Sequence, residues 1–395
     1  MARARIPLAL LTGGLALAGL AQAETSPYYL GASLGYTHVS NLYRLPQSQV
    51  PNSDDVTSLS LLAGIDKPFG RQRFFADASV RNNAYRRDKS LNNTGYALTA
   101  GMDWQAFDKL SGSAVLRSNR NLATYNASTD VDVITEKNIE QNDQAQFNAR
   151  YGLAGKLSLE GGLAHQRRKY SASAYRLLEY KQNSVSAGLA YRPSSDLRLG
   201  VTGRYTDGSG YARVLIFVVP NDYKRKDIDL TSNWTASAAS TINARLSFSK
   251  ISNAGSNVRD YSGVTGRISW QWQPTAKLQF SSALARDTVQ ENYLSVGSTG
   301  SGEANRVGTS AQLNAVYLLT SKIQLDAGYN LYNVNRSGLT EADDRSHGLN
   351  LSVRWSPTRA TQLSCQVSRD KRDSDIATYN YSANSYGCAA QLMLR

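Results

Sequence analysis

The chain is poor in the residues that mark most other protein classes. Among 395 residues there are 2 cysteines, 9 prolines and 3 histidines. So few cysteines exclude a disulfide-dense secreted scaffold, and so few prolines exclude a proline-rich linker protein. With three histidines, and no Cys/His pair at zinc spacing, no metal centre is expected. Charge is scarce as well: 19% Asp, Glu, Lys and Arg is too little for a disordered polyelectrolyte or a coiled coil. Long apolar runs are also missing. Beyond the first 23 residues the longest is Val214 to Val219, far short of the roughly twenty residues a membrane helix needs.

What is present is Ser, Asn, Thr, Gln and Gly, with 23 tyrosines and a formal charge of +13. The first 23 residues read as a cleaved export leader. Arg3 and Arg5 form its basic start, Ile6 to Leu20 its apolar segment, and Ala21-Gln22-Ala23 the small-x-small cleavage signal. Cleavage before Glu24, which is not cysteine, excludes a lipid anchor and leaves residues 24–395 as one domain. An exported chain without a membrane helix is periplasmic, secreted or an outer-membrane barrel.

Periodicity selects the barrel. Segments of about ten residues alternate apolar side chains with small or polar ones. Tyr28, Leu30, Ala32, Leu34 and Tyr36 share one face, opposite Tyr29, Gly31, Ser33, Gly35 and Thr37. Tyr96 to Trp104, Val264 to Trp272 and Leu349 to Trp355 repeat the pattern. The polar face is Ser/Thr/Gly/Asn/Gln with scattered Arg, as suits a wet lumen, and the apolar face ends in Trp or Tyr, as suits a lipid boundary. Short turns recur at 67–70, 106–109, 154–156, 193–196, 238–241, 274–277, 319–322 and 357–360. Longer polar connections lie between them, the longest near 38–56, 121–139, 206–222 and 289–305. Eight short turns and nine long connections predict a monomeric, all-β, transmembrane antiparallel barrel of eighteen strands, with both termini periplasmic. Sixteen strands is the second reading, turning on the stretch 206–235. The last segment, Tyr386 to Leu394, should close against the first.

Parity along the strands assigns the lumen Arg73, Arg81, Arg117, Arg150, Arg168, Arg192, Arg198, Arg204, Arg245, Arg267 and Arg354. The same face receives Asp77, Asp103, Glu160, Asp227, Asp229 and Asp326, with Lys156, Lys277 and Lys322 at the periplasmic mouth. Cations outnumber acids, and such a lining favours anions. Arg117, Arg150, Arg204, Arg245 and Arg267 are the expected mid-lumen contacts, and Arg198 and Arg354 complete the candidate path. The bland reading is that these arginines pair with nearby acids and hold the wall. Cys365 and Cys388 share the outward register at similar heights, as a cross-strand disulfide or as two small apolar groups facing lipid. Asp130, Asp132 and Glu136 read as a solvated loop, and Gly297 to Gly302 lacks the lysine of a phosphate loop. His38, His165 and His347 have no nucleophile spacing, so no catalysis is expected. Nor is a nucleic acid an expected partner at this location.

Several stretches resemble the EpsL outer-membrane proteins. They are Tyr28-Tyr29-Leu30 through Asn41-Leu42-Tyr43-Arg44-Leu45-Pro46, then Phe69 to Phe74, Leu91 to Tyr96, Trp104-Gln105, Leu110-Ser111-Gly112 and Glu136 to Glu140. Proteins of that family are beta-barrel porins that accompany exopolysaccharide biosynthesis clusters in Gram-negative bacteria. The resemblance lies in the first 150 residues and carries no site residues. It implies an outer-membrane role in polysaccharide export; taken with the positive lining, the reading is a conduit for an acidic exopolysaccharide, partnered by outer-membrane lipid and periplasmic export components. Two further readings stand beside it: a general small-solute porin, which predicts a constricting in-folded loop, and a plugged anchor or adhesin. Replacing Arg245 and Arg267 together by serine is expected to lower anion preference without unfolding the barrel. The reversal potential of single channels in a salt gradient checks this, and an unchanged value would sink the assignment.

Overall fold

The computed structural model describes residues 26–107, 109–126, 132–153, 156–214, 217–254, 260–288, 307–336 and 342–394. The leader, Asp130 and Gly297 to Gly302 lie outside them. Eighteen strands fill most of the described chain. The first nine are β1 (Tyr28–Val39), β2 (Asp54–Phe69), β3 (Gln72–Tyr85), β4 (Asn93–Phe107), β5 (Leu110–Leu122), β6 (Ile139–Gly152), β7 (Leu157–Tyr170), β8 (Tyr180–Tyr191) and β9 (Leu197–Val214). The second nine are β10 (Phe217–Ser237), β11 (Ser240–Asn253), β12 (Tyr261–Thr275), β13 (Leu278–Thr288), β14 (Val307–Leu318), β15 (Ile323–Arg336), β16 (Ala342–Trp355), β17 (Thr361–Ser374) and β18 (Tyr381–Leu394). Each strand pairs antiparallel with its neighbours in the chain, and β1 pairs with β18 from Leu30↔Leu394 to Val39↔Ser385. The sheet is a closed barrel. At about 4.8 Å between strands and a tilt of about 40°, eighteen strands close on a backbone radius of about 18 Å.

The described strand ends bracket all eight expected short turns, residues 108 and 154–155 themselves lying outside the described chain, on the rim that also holds the described ends of β1 and β18. One long connection does not exist as read. The stretch 206–222 is paired strand, β9 and β10 matching residue for residue from Leu197↔Trp234 to Val214↔Phe217. Gly208, Gly210 and Pro220 gave it the look of a loop, since strand interiors rarely hold them. The odd apolar run 214–219 sits at the tip of this extension. Its residues 215–216 lie outside the described chain.

Strand exteriors are apolar and open to the surroundings: Leu30 is 59% exposed, Leu61 62% and Leu116 58%. A face of this kind is stable only against hydrocarbon. Tyr28, Phe74, Tyr191, Trp234, Trp270, Trp272, Tyr317 and Trp355 ring the short-turn rim, and Tyr36, Tyr205, Phe248, Tyr329 and Tyr386 ring the other. From Tyr28 to Tyr36 is eight residues, about 20 Å of height at that tilt and about 3.3 Å per residue, which matches a thin hydrocarbon layer.

Inside, tyrosines lie flat across strands where glycine gives them room. Tyr29 of β1 crosses β2 to donate to Asp77 Oδ1 of β3 at 2.6 Å, and a Cβ on the intervening Gly64 would stand 2.1 Å from its ring. Tyr223 of β10 likewise crosses Gly208 to donate to Gln182 Oε1 of β8 at 2.8 Å. Gly64→Val is therefore expected to expel the Tyr29 ring and to cost about 1–3 kcal/mol. A lower urea midpoint, read from heat-modifiable electrophoretic mobility, checks it, with Gly35→Ala, whose neighbours stand at contact distance, as the mild control.

Candidate functional site: the lumen and its mouth

The eleven predicted arginines point inward or lie at the inner rim, yet most are neutralised by acids. Arg150 reaches Glu160 at 2.7 Å, and Arg198 pairs with the same carboxylate from β9. Arg168 pairs with Glu140 at 3.1 Å, Arg204 with Asp227 and Asp229 at 3.2 Å, and Arg354 with Asp326 at 3.7 Å. Arg73 lies between Asp66 and Asp103, and Arg245 reaches Asp287 at 3.0 Å. Seven of the eleven thus follow the bland reading, in which arginines pair with nearby acids and hold the wall. For the candidate path it removes Arg150, Arg198, Arg204, Arg245 and Arg354 as free charges.

Behind them lies a network that parity alone did not disclose. Arg225 donates to Asp227 Oδ1 at 2.8 Å, Thr288 Oγ1 at 2.6 Å and Ser249 Oγ at 2.9 Å. Arg225, Asp227, Ser249, Asp287 and Thr288 are all buried, and a buried guanidinium is tolerable only with this kind of saturation. The alternation Arg225-x-Asp227-x-Asp229 was its visible signal. Among the described residues Arg81, Arg117, Arg192 and Arg267 form no ion pair. Arg81 donates to Ser60 Oγ at 3.2 Å. Arg117 faces Thr99 and Gln144 across its strand pairs, and Arg267 faces Arg245. The unbalanced positive field of the mid-lumen comes from Arg117 and Arg267.

Over the β1–β8 side of the long-loop mouth the connections fold inward. Tyr43, of the β1–β2 connection, packs with Tyr125, of the β5–β6 connection, in an edge-on pair 4.9 Å apart. Both are buried with Leu91 and with the inward-facing Val56 and Tyr85. Tyr175 and Leu178, between β7 and β8, form an adjoining cluster against Tyr170. Polar bonds tie these pieces together. The Asn41 side chain brackets Leu45, accepting from its N–H and donating to its carbonyl, each at 2.9 Å. Asn126 donates to the Arg44 carbonyl at 2.9 Å, and Arg372 of β17 donates to the Asn126 carbonyl at 2.7 Å while pairing with Asp344. Arg44 and Asn126 both take positive φ, 52° and 48°, conformations held only by surroundings that over-determine them. Asp54, 1% exposed, accepts from the N–H groups of Arg87 and Asp88 at 2.9 and 2.8 Å. The result is a cap on part of the mouth, braced from β17.

Cys365 and Cys388 are opposed on β17 and β18 and joined by a disulfide on the outer face. No family model matches the chain, and no curated protein matches it in sequence, so the EpsL resemblance gains no support there. Among solved structures the chain is similar to a BenF-like porin from Pseudomonas fluorescens Pf-5, at 13% identity over 93% of this chain and 99% of that one, TM-score 0.48. It is also similar to Pseudomonas aeruginosa OpdO (12% identity, 93% and 96% covered, TM-score 0.48) and Acinetobacter baumannii OccAB3 (10%, 93% and 98%, 0.45). Likeness at this level extends to the barrel alone.

The cap also holds three groups whose titration is displaced. Hydrogen bonds from the Ser90 hydroxyl and the Tyr43 hydroxyl hold Asp88 below the usual carboxylate range. Burial, and then the bond to Asp88, pushes the Tyr43 hydroxyl up, and burial does the same to Tyr125. Asp88 therefore lends the cap stability that is full above about pH 3.9 and lost as pH falls through its lowered pKa. The tyrosines lend stability that is full below about pH 10 and lost as pH rises through their raised values. Channel conductance is expected to stay constant between these limits and to become larger and noisier beyond either one. Tyr43→Phe should weaken the acid-side change and spare the alkaline one, which Tyr125 still carries.

Proposed function

We propose that the protein is a passive outer-membrane channel for small solutes, with a preference for anions. An eighteen-stranded barrel is wide enough to leave an aqueous path, and its apolar exterior suits a bilayer. Within the path, Arg117 and Arg267 provide positive charge held in no ion pair among the described residues, although Asp287, already paired with Arg245, partly offsets Arg267. Their field acts at close range because the confined lumen screens it poorly. Passage needs no chemistry from the wall. Solutes move down their own gradients, and the ion-paired arginines keep the wall rigid.

The observation that carries this reading is the in-folded cap. A constricting set of loops is what a small-solute porin requires of so wide a barrel, whereas a growing polysaccharide would have to displace Tyr43, Tyr125 and Tyr175 from their packing. The conduit for an acidic exopolysaccharide, read from the EpsL resemblance together with the arginine lining, is therefore the less favoured reading.

Planar-bilayer recordings of the refolded barrel test the proposal. Wild type should pass chloride in preference to potassium, and an acidic polysaccharide should not block it. Arg117→Ser combined with Arg267→Ser should reduce the anion-to-cation permeability ratio by roughly two- to five-fold while leaving conductance within that range. A silent membrane would favour the plugged anchor, and block by polysaccharide would favour the conduit.

A further inference from the structure

Among the described residues the outer surface of the barrel carries nearly all of its charge at one end. Toward the short turns, Lys67 is the single charged residue at an outward strand position among the described residues. Toward the long loops, the first outward positions past the apolar band are crowded with cations, and their register places some of them side by side.

The densest group lies on β5 to β8. Strand pairing sets Leu116, Ala145, His165 and Asn183 in one row across the outer face. The next row toward the loops is Ser118, Asp143, Arg167 and Lys181, and the row beyond it holds Arg120, Gln141 and Lys169. Arg167 and Lys181 are direct cross-strand partners with both side chains outward. Like charges in that relation destabilise a sheet unless something neutralises them. The one acid in these rows, Asp143, accepts hydrogen bonds from Ser118 Oγ at 2.6 Å and Gln141 Nε2 at 3.1 Å. It forms no ion pair with any of the four cations. Asp207 of β9, the partner of Asn183, and Glu179, which accepts from the Tyr170 N–H at 2.9 Å, flank the group, so four cations outnumber the acids around them and the Arg167–Lys181 pair stays unneutralised at the edge of an apolar surface.

Directly below them the wall is hollow. Ala114, Leu116, Ala145, Phe147, Leu163 and His165 line an outward-facing depression of about 390 Å³, because alanines stand where neighbouring strands carry large side chains. An apolar trough capped by unneutralised cations has the layout of a lipid, with its chain in the trough and its headgroup at the cations. A phosphate carries up to about two charges, enough to neutralise the like-charge pair Arg167 and Lys181. We propose that this face binds a phosphate-bearing lipid from the leaflet on the long-loop side. Its acyl chain lies in the Ala114–Ala145 trough, and its headgroup phosphate lies against Arg167 and Lys181, with Arg120 and Lys169 beside them. The exposed partners Lys226 and Lys250 of β10 and β11 repeat the like-charge pairing further round the barrel and mark a second contact with the same leaflet.

Native mass spectrometry of the refolded barrel in neutral detergent tests this, with a diphosphorylated acyl-glucosamine lipid, its dephosphorylated form and inorganic phosphate as probes. The diphosphorylated lipid should bind, the dephosphorylated one should bind far more weakly, and equimolar inorganic phosphate should not compete. Arg167→Gln with Lys181→Gln should weaken binding about 25-fold, at about five-fold for each cation removed. Ala145→Trp, which fills the trough with both cations intact, should also weaken it, and Lys67→Gln at the opposite end should not. Equal binding of the dephosphorylated lipid, competition by free phosphate, or indifference to both the charge and the trough variants would overturn the proposal. Should the double variant fail to fold, as seen from lost heat-modifiability, the wild-type comparison of the two lipids decides alone.

Discussion

Everything in this molecule follows from the absence of any hydrogen-bonding partner in hydrocarbon other than the next strand. A backbone group left unpaired there costs several kcal/mol, so the first and last strands must find each other, and β1 meets β18 over ten residue pairs. Closure then divides every strand into two faces. One must be apolar because it meets lipid, and the other is free to be polar because it meets water. The period-2 alternation is the trace of that division in the chain.

The charged residues show what the division does not decide. On the inner face most arginines are matched by acids, often two strands away, as Arg245 of β11 is by Asp287 of β13. Such pairs brace a wide wall and leave little net field. Selectivity therefore rests on the few cations that remain unmatched, and function is carried by an imbalance rather than by the total count. On the outer face the same logic separates the two ends. The short-turn end meets its surroundings with tryptophan, the long-loop end with lysine and arginine.

The barrel was largely legible in the sequence. Strand number, the eight short turns and the facing of the lumen arginines all follow from alternation and turn chemistry, and each fell where those rules put it. Three things were hidden for identifiable reasons. The β9–β10 extension was obscured by Gly208, Gly210 and Pro220, residues that usually end strands but here make room for Tyr223 or sit near the strand tip. The ion pairs were obscured because parity gives a side chain's face and not its height, so Glu140 and Asp287 could not be matched with their arginines. The cap was obscured because loops have no period. Its one sign was the presence of Tyr43, Leu91, Tyr125, Tyr175 and Leu178 in polar connections, where large apolar groups must find something to pack against.

The tryptophan ring has a consequence for watching this protein assemble. All five tryptophans of the chain, Trp104, Trp234, Trp270, Trp272 and Trp355, sit on the outer face near short turns, and the long-loop end has none. Indole emission is thus a reporter of a single interface. During insertion it records when the short-turn rim reaches its final depth, and it is blind to the loops settling over the mouth. A folding experiment read by intrinsic fluorescence alone would score the barrel as finished whether or not its cap had closed.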